Sequence, residues 1–356
     1  MPPRPHRPEA LAWQVFRGSD AVRDGLLTEH QLRSAAWVRV RHDVYADARL
    51  DRDHALACRA VLLRLPPGVI VGGPSAAYLH GVEHAAAFTD DVHVLVPRPL
   101  RVGAQRGLRV HVDVGVPSPE TSADERSGTT PGSAARVSSG NTRATGPGDG
   151  RMSVARLEPV RMPDTSVASS APGREFREQR GSIPRSDPGR AAWETAVWLD
   201  PIRAVTIVDT MLGQGLTDSD TLAEMAARNA DSFGARRARW IFGLADGGAQ
   251  SPPESQLRVR LVLGGLPRPA VQHPVRLPKG IVLHPNLAWP EYRVAVEYDG
   301  QWHADAEQLH RDRRRLNLLV GAGWLVLHVT SRRLHVEFPA VLREVRAALV
   351  ARGWRR

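Results

Sequence analysis

One stretch limits every folding scheme for this chain of 356 residues: from Pro117 to Arg190 the sequence is dense in Ser, Gly, Pro, Thr and Arg, with Phe176 its single aromatic residue. Such a tract lacks the apolar area that offsets the entropy of ordering it, so it predicts a disordered insertion at 117–190. RMSVARLEPVRM is the piece within it best able to order. The fold must then be built from the flanking parts, and the chain's length allows two or three folding units. The expected class is α/β, an α+β multidomain chain.

No run approaches the ~18–20 apolar residues that span a bilayer, and MPPRPHRPEA has no apolar core of the secretory type, so the reading is cytoplasmic. Cys58 is the single cysteine, which excludes an intrachain disulfide, a zinc knuckle and any cysteine-ligated cluster. The formal charge of +10 is carried almost wholly by arginine, since Lys279 is the only lysine. Residues 251–356 hold 17 basic and 9 acidic side chains, against 15 and 12 in 1–116 and 16 and 17 in 117–250. A coding bias would spread the surplus. Its concentration at the C-terminal end is the footprint of a partner rich in phosphate, with DNA the expected partner; an arginine-rich solvated face is the competing reading.

Within 10–50, DAVRDG and TEHQLRSAAW carry helical patterns and VRVRHDVYA a strand pattern. Thr28 and Gln31 form a T-x-x-Q capping box that opens the second helix. This predicts a small winged helix-turn-helix, with Gln31 and Arg33 reaching bases and Arg39 and Arg41 on phosphates. Residues 51–116 read as a small α/β domain: helix HALACRAVLLRL, strand GVIVGG, a helix at Pro74-Ser75, then strands VHVLVP and LRVHVDV. The Gly72-Gly73-Pro74-Ser75 turn has the form of a phosphate cradle, as in nucleotidyltransferases, but the paired carboxylates such an enzyme needs do not follow it. Residues 191–250 read as a helical connector, with AWETAVWLDPIRAVTIVDTML one apolar periodic run and Trp193, Trp198 and Trp240 packing residues.

From 251 onward the pattern is helix, three strands, helix, strand, helix. Ser251, proline at the first helical positions and Glu254 make a start signal. In Arg293–Asp299 the period of two puts Val294, Val296 and Tyr298 on one face and Ala295, Glu297 and Asp299 on the other. Two carboxylates near a strand end, with His303 just beyond, can hold a divalent cation or run acid–base chemistry. The following helix should turn Leu309, Leu316, Leu319 and Val320 inward and Arg311, Arg313, Arg314 and Arg315 outward.

Residues 251 to about 354 resemble the DUF559 family, a branch of the PD-(D/E)XK nuclease superfamily similar to very-short-patch repair endonucleases. The likeness rests on SPPES, LHPNLAWPEYRVAVEYDGQWH and HRDRRRLNLLVGAGWLVLHVT. The N-terminal half is more loosely similar to AbiE-type antitoxins. The first resemblance implies a restriction-endonuclease-like αβββαβ domain at 251–356. It also implies Mg²⁺-dependent hydrolysis of DNA phosphodiesters, with Glu254, Asn286 and Glu297 in the places of the ligand-bearing acids; Asn286, Glu297 and Asp299 would hold the metal, Glu254 orient water or a second ion, and His303 assist proton transfer. Asp299 stands where a lysine is more usual, and His303 matches the histidine after the D-G turn. The arginines of 311–315 would grip the DNA backbone.

Asn286 departs from the family's H-P-D-L-A-W pattern and removes one negative charge, which leaves two outcomes open, an active nuclease and a weakened or lost one. The alternative is a non-catalytic DNA-binding transcriptional regulator of the antitoxin type, with a toxin or repair partner left open. Each site residue also has a plainer reading. Glu254 can simply close a capping box, Glu297 and Asp299 can be surface acids, and His303 a turn residue. Trp289 and Trp302 can be packing rather than base-stacking residues, and Arg311 can pair with Glu307.

Overall fold

The computed structural model describes residues 6–113, 183–300 and 306–355; for Lys279 and residues 306–313 it describes backbone alone. The fold is mixed α and β, built on several small sheets. No helix among the described residues is long and apolar enough to cross a membrane.

The N-terminal sheet has the order β1-β3-β2, from β1 (Val15–Arg17), β2 (Trp37–Arg41) and β3 (Val44–Asp47). Helix α1 (Gly18–Arg23) follows β1. The expected single strand is thus a hairpin, folded at Asp43, whose φ of 60° makes the turn. The Asp43 carboxylate fixes that turn by accepting from Ser19 N and Oγ at 2.8 and 2.7 Å.

The expected second helix is corrected. Its capping box forms, with Thr28 N–H donating to Gln31 Oε1 at 2.8 Å and Gln31 N–H to Thr28 Oγ1 at 3.2 Å. Only a 3-10 turn, Gln31–Arg33, follows. Ser34 is already extended, so that Ala36 and Trp37 can enter the core with Leu11, Phe16 and Leu32. Core demand at Trp37 overrides local helix propensity.

Residues 51–113 supply α2 (His54–Leu62), β4 (Ile70–Val71), α3 (Gly73–Leu79), β5 (Val92–Pro97) and β6 (Leu108–Asp113). The sheet order is β4-β5-β6, with β5 and β6 parallel. The low-complexity tract ends earlier than its composition implied. Ile183 and Ser186 are buried, and Val71 exchanges backbone hydrogen bonds with Pro184 and Ser186 along the edge of β4. Asp187 then caps α4 (Pro188–Trp198) by accepting from Arg190 N.

The expected single helical run breaks at Leu199. Asp200 accepts from Ile202 and Arg203 N–H, and Pro201 opens α5 (Pro201–Gly213). Helices α6 (Ser219–Arg228, capped by Asp218) and α7 (Ala235–Leu244) complete this part. Ile207, Val208, Met211 and Leu222 share one core with Val71, Ala76, Val94 and Leu108, so helices and sheet are a common body.

The C-terminal part runs α8 (Pro252–Leu263), β7 (Ala270–Val271), β8 (Val275–Arg276), β9 (Val282–Leu283), β10 (Leu287–Trp289), β11 (Val294–Asp299), α9 (Ala306–Gly321), β12 (Leu325–Thr330), α10 (Ser331–His335) and α11 (Phe338–Ala351). The sheet order is β12-β11-β10-β7, with β10 antiparallel to both neighbours and β11 parallel to β12. Strands β8 and β9 pair apart from it, because Gln272 (φ 49°) and Pro285 interrupt the first two expected strands.

Val294 and Val296 face α8 and α11 through Leu257, Leu261, Val341 and Val345. Ala295 and Ala288 face Leu319 of α9 and Trp324. Glu297 and Asp299 therefore emerge on the α9 side. Leu319 is inward as expected, but Val320 is 55% exposed, since the stripe facing the sheet is too narrow to take both. A buried ion pair, Asp209 to Arg258 at 2.6 Å, ties α5 to α8.

Candidate active site at the end of the C-terminal sheet

Two parallel strands joined by a helix leave their carboxyl ends open beside that helix, the usual place for a ligand in open α/β sheets. Here β11 ends in Glu297-Tyr298-Asp299, and register sets Glu297 opposite His328 and Asp299 opposite Thr330 of β12. Asp299 Oδ2 lies 2.9 Å from His328 Nδ1. Glu297 Oε1 lies 3.1 Å from the Arg315 guanidinium, and Oε2 accepts from Asn286 N at 3.2 Å. Burial raises the Glu297 carboxyl above its ordinary value; Arg315, Asn286 N–H and His328 oppose the shift, and Asp299 adds to it.

Asn286 sits just before β10 and clamps that strand to β11. Its Oδ1 accepts from Tyr298 N at 2.8 Å while its own N–H reaches Glu297. Glu254, in the first turn of α8, is bound by Ser251 Oγ at 3.0 Å, Gln250 N at 3.1 Å and Gln272 Nε2 at 3.3 Å. The backbone N–H of Gln272 donates to Asn286 O at 3.1 Å. Hydrogen bonds therefore link Glu254, Gln272, Asn286 and Glu297, and an ion pair carries the chain on to Arg315.

Glu254, Asn286 and Glu297 thus belong to one polar network, with Asp299 beside it through His328. His303 lies outside the described residues, as do the side chains of Arg311 and Arg313. Arg314 is exposed. Arg315 turns in and binds Glu297 and the carbonyl of His284. A long guanidinium next to an otherwise uncompensated buried carboxylate is drawn to it. Trp289 is core, its indole N–H donating to Pro267 O at 2.8 Å. Sequence reasoning missed Gln272 and His328; a lone histidine in the apolar run LVLHVT was the available signal for the second.

The N-terminal set belongs to a different surface. The Gln31 side chain is held in its capping box, and Arg33 and Arg39 are exposed. The Arg41 guanidinium braces the loop before β6, donating to Arg106 O at 2.7 Å and Gly107 O at 3.4 Å.

For Mg²⁺, the donor chemistry fits: Glu297 and Asp299 offer hard oxygens, and the raised Glu297 carboxyl marks negative charge that the protein only partly offsets. Among the described residues no three His, Cys, Asp or Glu side chains come together as a ready cage. The GGPS turn is occupied by the chain itself. Gly73 N–H donates to Glu194 Oε2 at 2.7 Å, so an internal carboxylate sits where a phosphate would.

No family model matches the chain, and no solved structure matches it. It is similar to two proteins of Mycobacterium tuberculosis, Uncharacterized protein MT2308 (strain CDC 1551 / Oshkosh) and Uncharacterized protein Rv2248 (strain ATCC 25618 / H37Rv). Each is 31% identical over 143 residues, covering 40% of this chain and 53% of the relative. The chain spans about half the length of the curated relatives it matches.

Proposed function

We propose that the C-terminal part is a restriction-endonuclease-like domain that hydrolyses DNA phosphodiesters with Mg²⁺, at a rate reduced by the amide at 286. The observation that carries this reading is the emergence of Glu297 and Asp299 on one face at the carboxyl end of β11, bonded to Asn286 and Arg315 and flanked by His328. Glu297 and Asp299 are the residues that would hold the ion, which when bound supplies Lewis-acid polarisation of the phosphate and an activated water. Asn286 orients Glu297 through its backbone N–H. Arg315 neutralises Glu297 in the resting site, and when displaced it can meet a phosphate oxygen. His328, hydrogen-bonded to Asp299, is placed to move a proton.

The test is cleavage of supercoiled, mismatched and single-stranded DNA in Mg²⁺ or Mn²⁺. Wild type should nick slowly, Glu297→Ala should lose cutting by about 100-fold or more, and Asn286→Asp should gain. The aspartate keeps an acceptor for Tyr298 N–H, so the clamp between β10 and β11 survives the exchange.

A second reading, a DNA-binding regulator without catalysis, is favoured by one observation: Asn286 Oδ1 is spent on Tyr298 N–H. On that reading all three proteins leave DNA intact yet bind it with steep salt dependence. The N-terminal three-stranded sheet with α1 would then be the operator-reading module, and the basic C-terminal surface a clamp.

A further inference from the structure

Helix α7 is built to show an unusual outer face. Ala235, Ala238 and Ile241 are buried against Trp193, Ala204 and Val205. The opposite side presents Phe233, just before the helix, then Arg236, Arg239 and Trp240. Phe233 is 95% exposed and Trp240 45%. Spacings of three and four residues put Arg236, Arg239 and Trp240 on one stripe of the helix, and Phe233 stands in the turn that leads into it.

The exposure is not fraying. Gly234 holds φ 86°, and a Cβ there would meet Val197 at 2.7 Å, so the turn is pressed onto α4 and Phe233 is turned outward. Asn229, buried beneath the turn, donates to Met225 O at 2.9 Å and accepts from Ser232 N at its own carbonyl at 3.0 Å. Beside the stripe runs a cleft of about 890 Å³ between residues 197–200 and 230–239.

The arginines divide by role. Arg237 is a strut, donating to Ala196 O at 3.2 Å and to Leu199 O. Arg236 and Arg239 are exposed and make no ion pair among the described residues. Asp231 stands at the mouth of the cleft, and Asp200 is spent capping α5. The free charge along the stripe itself is positive.

We propose that this face binds single-stranded DNA, with unpaired bases stacked on Phe233 and Trp240 and intervening phosphates on Arg236 and Arg239. Aromatic platforms alternating with cations suit a strand whose bases are open, whereas a duplex hides its base faces everywhere but its ends. A purely apolar protein partner would leave both arginines without a counter-charge. This assignment rests on the reading of the protein as DNA-directed, and it adds a strand-holding surface apart from the carboxylate site.

The experiment measures fluorescence anisotropy of a labelled oligothymidylate and of a labelled duplex with the full chain. Phe233→Ala with Trp240→Ala should weaken the single strand by at least about tenfold and change the duplex by less than about twofold. Arg236→Ala with Arg239→Ala should reduce the slope of log affinity against log salt by about 1.4, close to 0.7 per lost phosphate contact. Phe233, Arg236 and Arg239 project outward, so circular dichroism melting of the arginine variant should be unchanged, and Phe233→Ala alone, which keeps the partly packed Trp240, separates lost stacking from lost stability. Binding is read without Mg²⁺, so its failure is distinguishable from failure of the proposed cleavage at Glu297 and Asp299. The assignment is overturned if wild type ignores the single strand, if the variants bind it equally well, or if duplex affinity falls in step. Tighter binding of an equivalent RNA, or a change of oligomeric state in light scattering, also overturns it.

Discussion

Among the described residues two parallel strand pairs carry polar residues on one face, and they end differently. In β5–β6, His93 Nδ1 lies 3.1 Å from His111 Nε2, and the two nearly parallel rings are covered by Trp198, whose ring centroid is 3.5 Å from that of His111. Beside them Glu194 takes hydrogen bonds from Gly73 N, Ser186 Oγ and Arg190 Nε, and Arg190 pairs in turn with Asp113. In β11–β12, Glu297 and Asp299 rest on Arg315 and His328, whose side chains are each 39% exposed. The covering helix makes the difference. Helix α4 contributes a rigid indole and a short buried acid that seal the face, whereas α9 contributes a long arginine that can leave. Polar residues at a strand end are a candidate site only where the covering partner is displaceable.

The strongest way to break this comparison is to remove the sealed acid. Glu194→Ala leaves Arg190 with Asp113 alone and strips the Gly73 N–H and Ser186 hydroxyl of their acceptor, and should cost about 1–3 kcal/mol in chemical denaturation. A cost below about 1 kcal/mol would place Glu194 with the ordinary surface acids and remove the contrast.

A smaller effect belongs to the histidine pair. Burial is the main cause of the lowered values of both rings, His93 to about 3 and His111 to about 4, from 6.5. The unfolded chain takes up protons that the folded chain refuses, so this stability is complete above pH 6.5 and lost as the pH falls toward 4 and then 3. Glu194 acts in the opposite sense: burial raises it to about 7 from 4.5, a contribution present below 4.5 and lost as the pH rises through 7. In a Glu194→Gln background the melting midpoint should therefore fall steadily from pH 6.5 to 4. Adding His111→Phe, which keeps a ring over Trp198, should flatten the fall. An unchanged slope would show that the pair is already solvated.

Smallest of all should be Glu297→Gln, which exchanges one partly exposed ion pair and should shift stability by no more than about 1 kcal/mol. Loss comparable to that of Glu194→Ala would make the C-terminal acids structural and end their candidacy as a site.

Much of the C-terminal arrangement was legible in the chain. Alternation in Val294–Asp299 placed Glu297 and Asp299 together, the SPPE signal started α8, and Gly323, at φ 83°, follows the end of α9 before β12. The N-terminal reading went astray where local signal and core demand disagreed: Thr28 and Gln31 close their box, but Trp37 is needed in the core before a helix can form. Composition also hid the order at 183–190, because the Asp187-Pro188 helix start lies inside a stretch that otherwise looks incapable of packing.

Periodicity, caps and turn residues are local properties, and from them the chain alone determined the start of α8, the face on which Glu297 and Asp299 sit, and the basic bias of its last third. Partnership across distance is not local. That Arg315 folds back on Glu297, that Gln272 joins Glu254 to Asn286, that Glu194 fills the glycine turn and that Phe233 is forced outward were decided only by tertiary packing. The physical reason is that a buried charge takes whichever counter-charge the fold brings within reach, and sequence separation does not encode that reach.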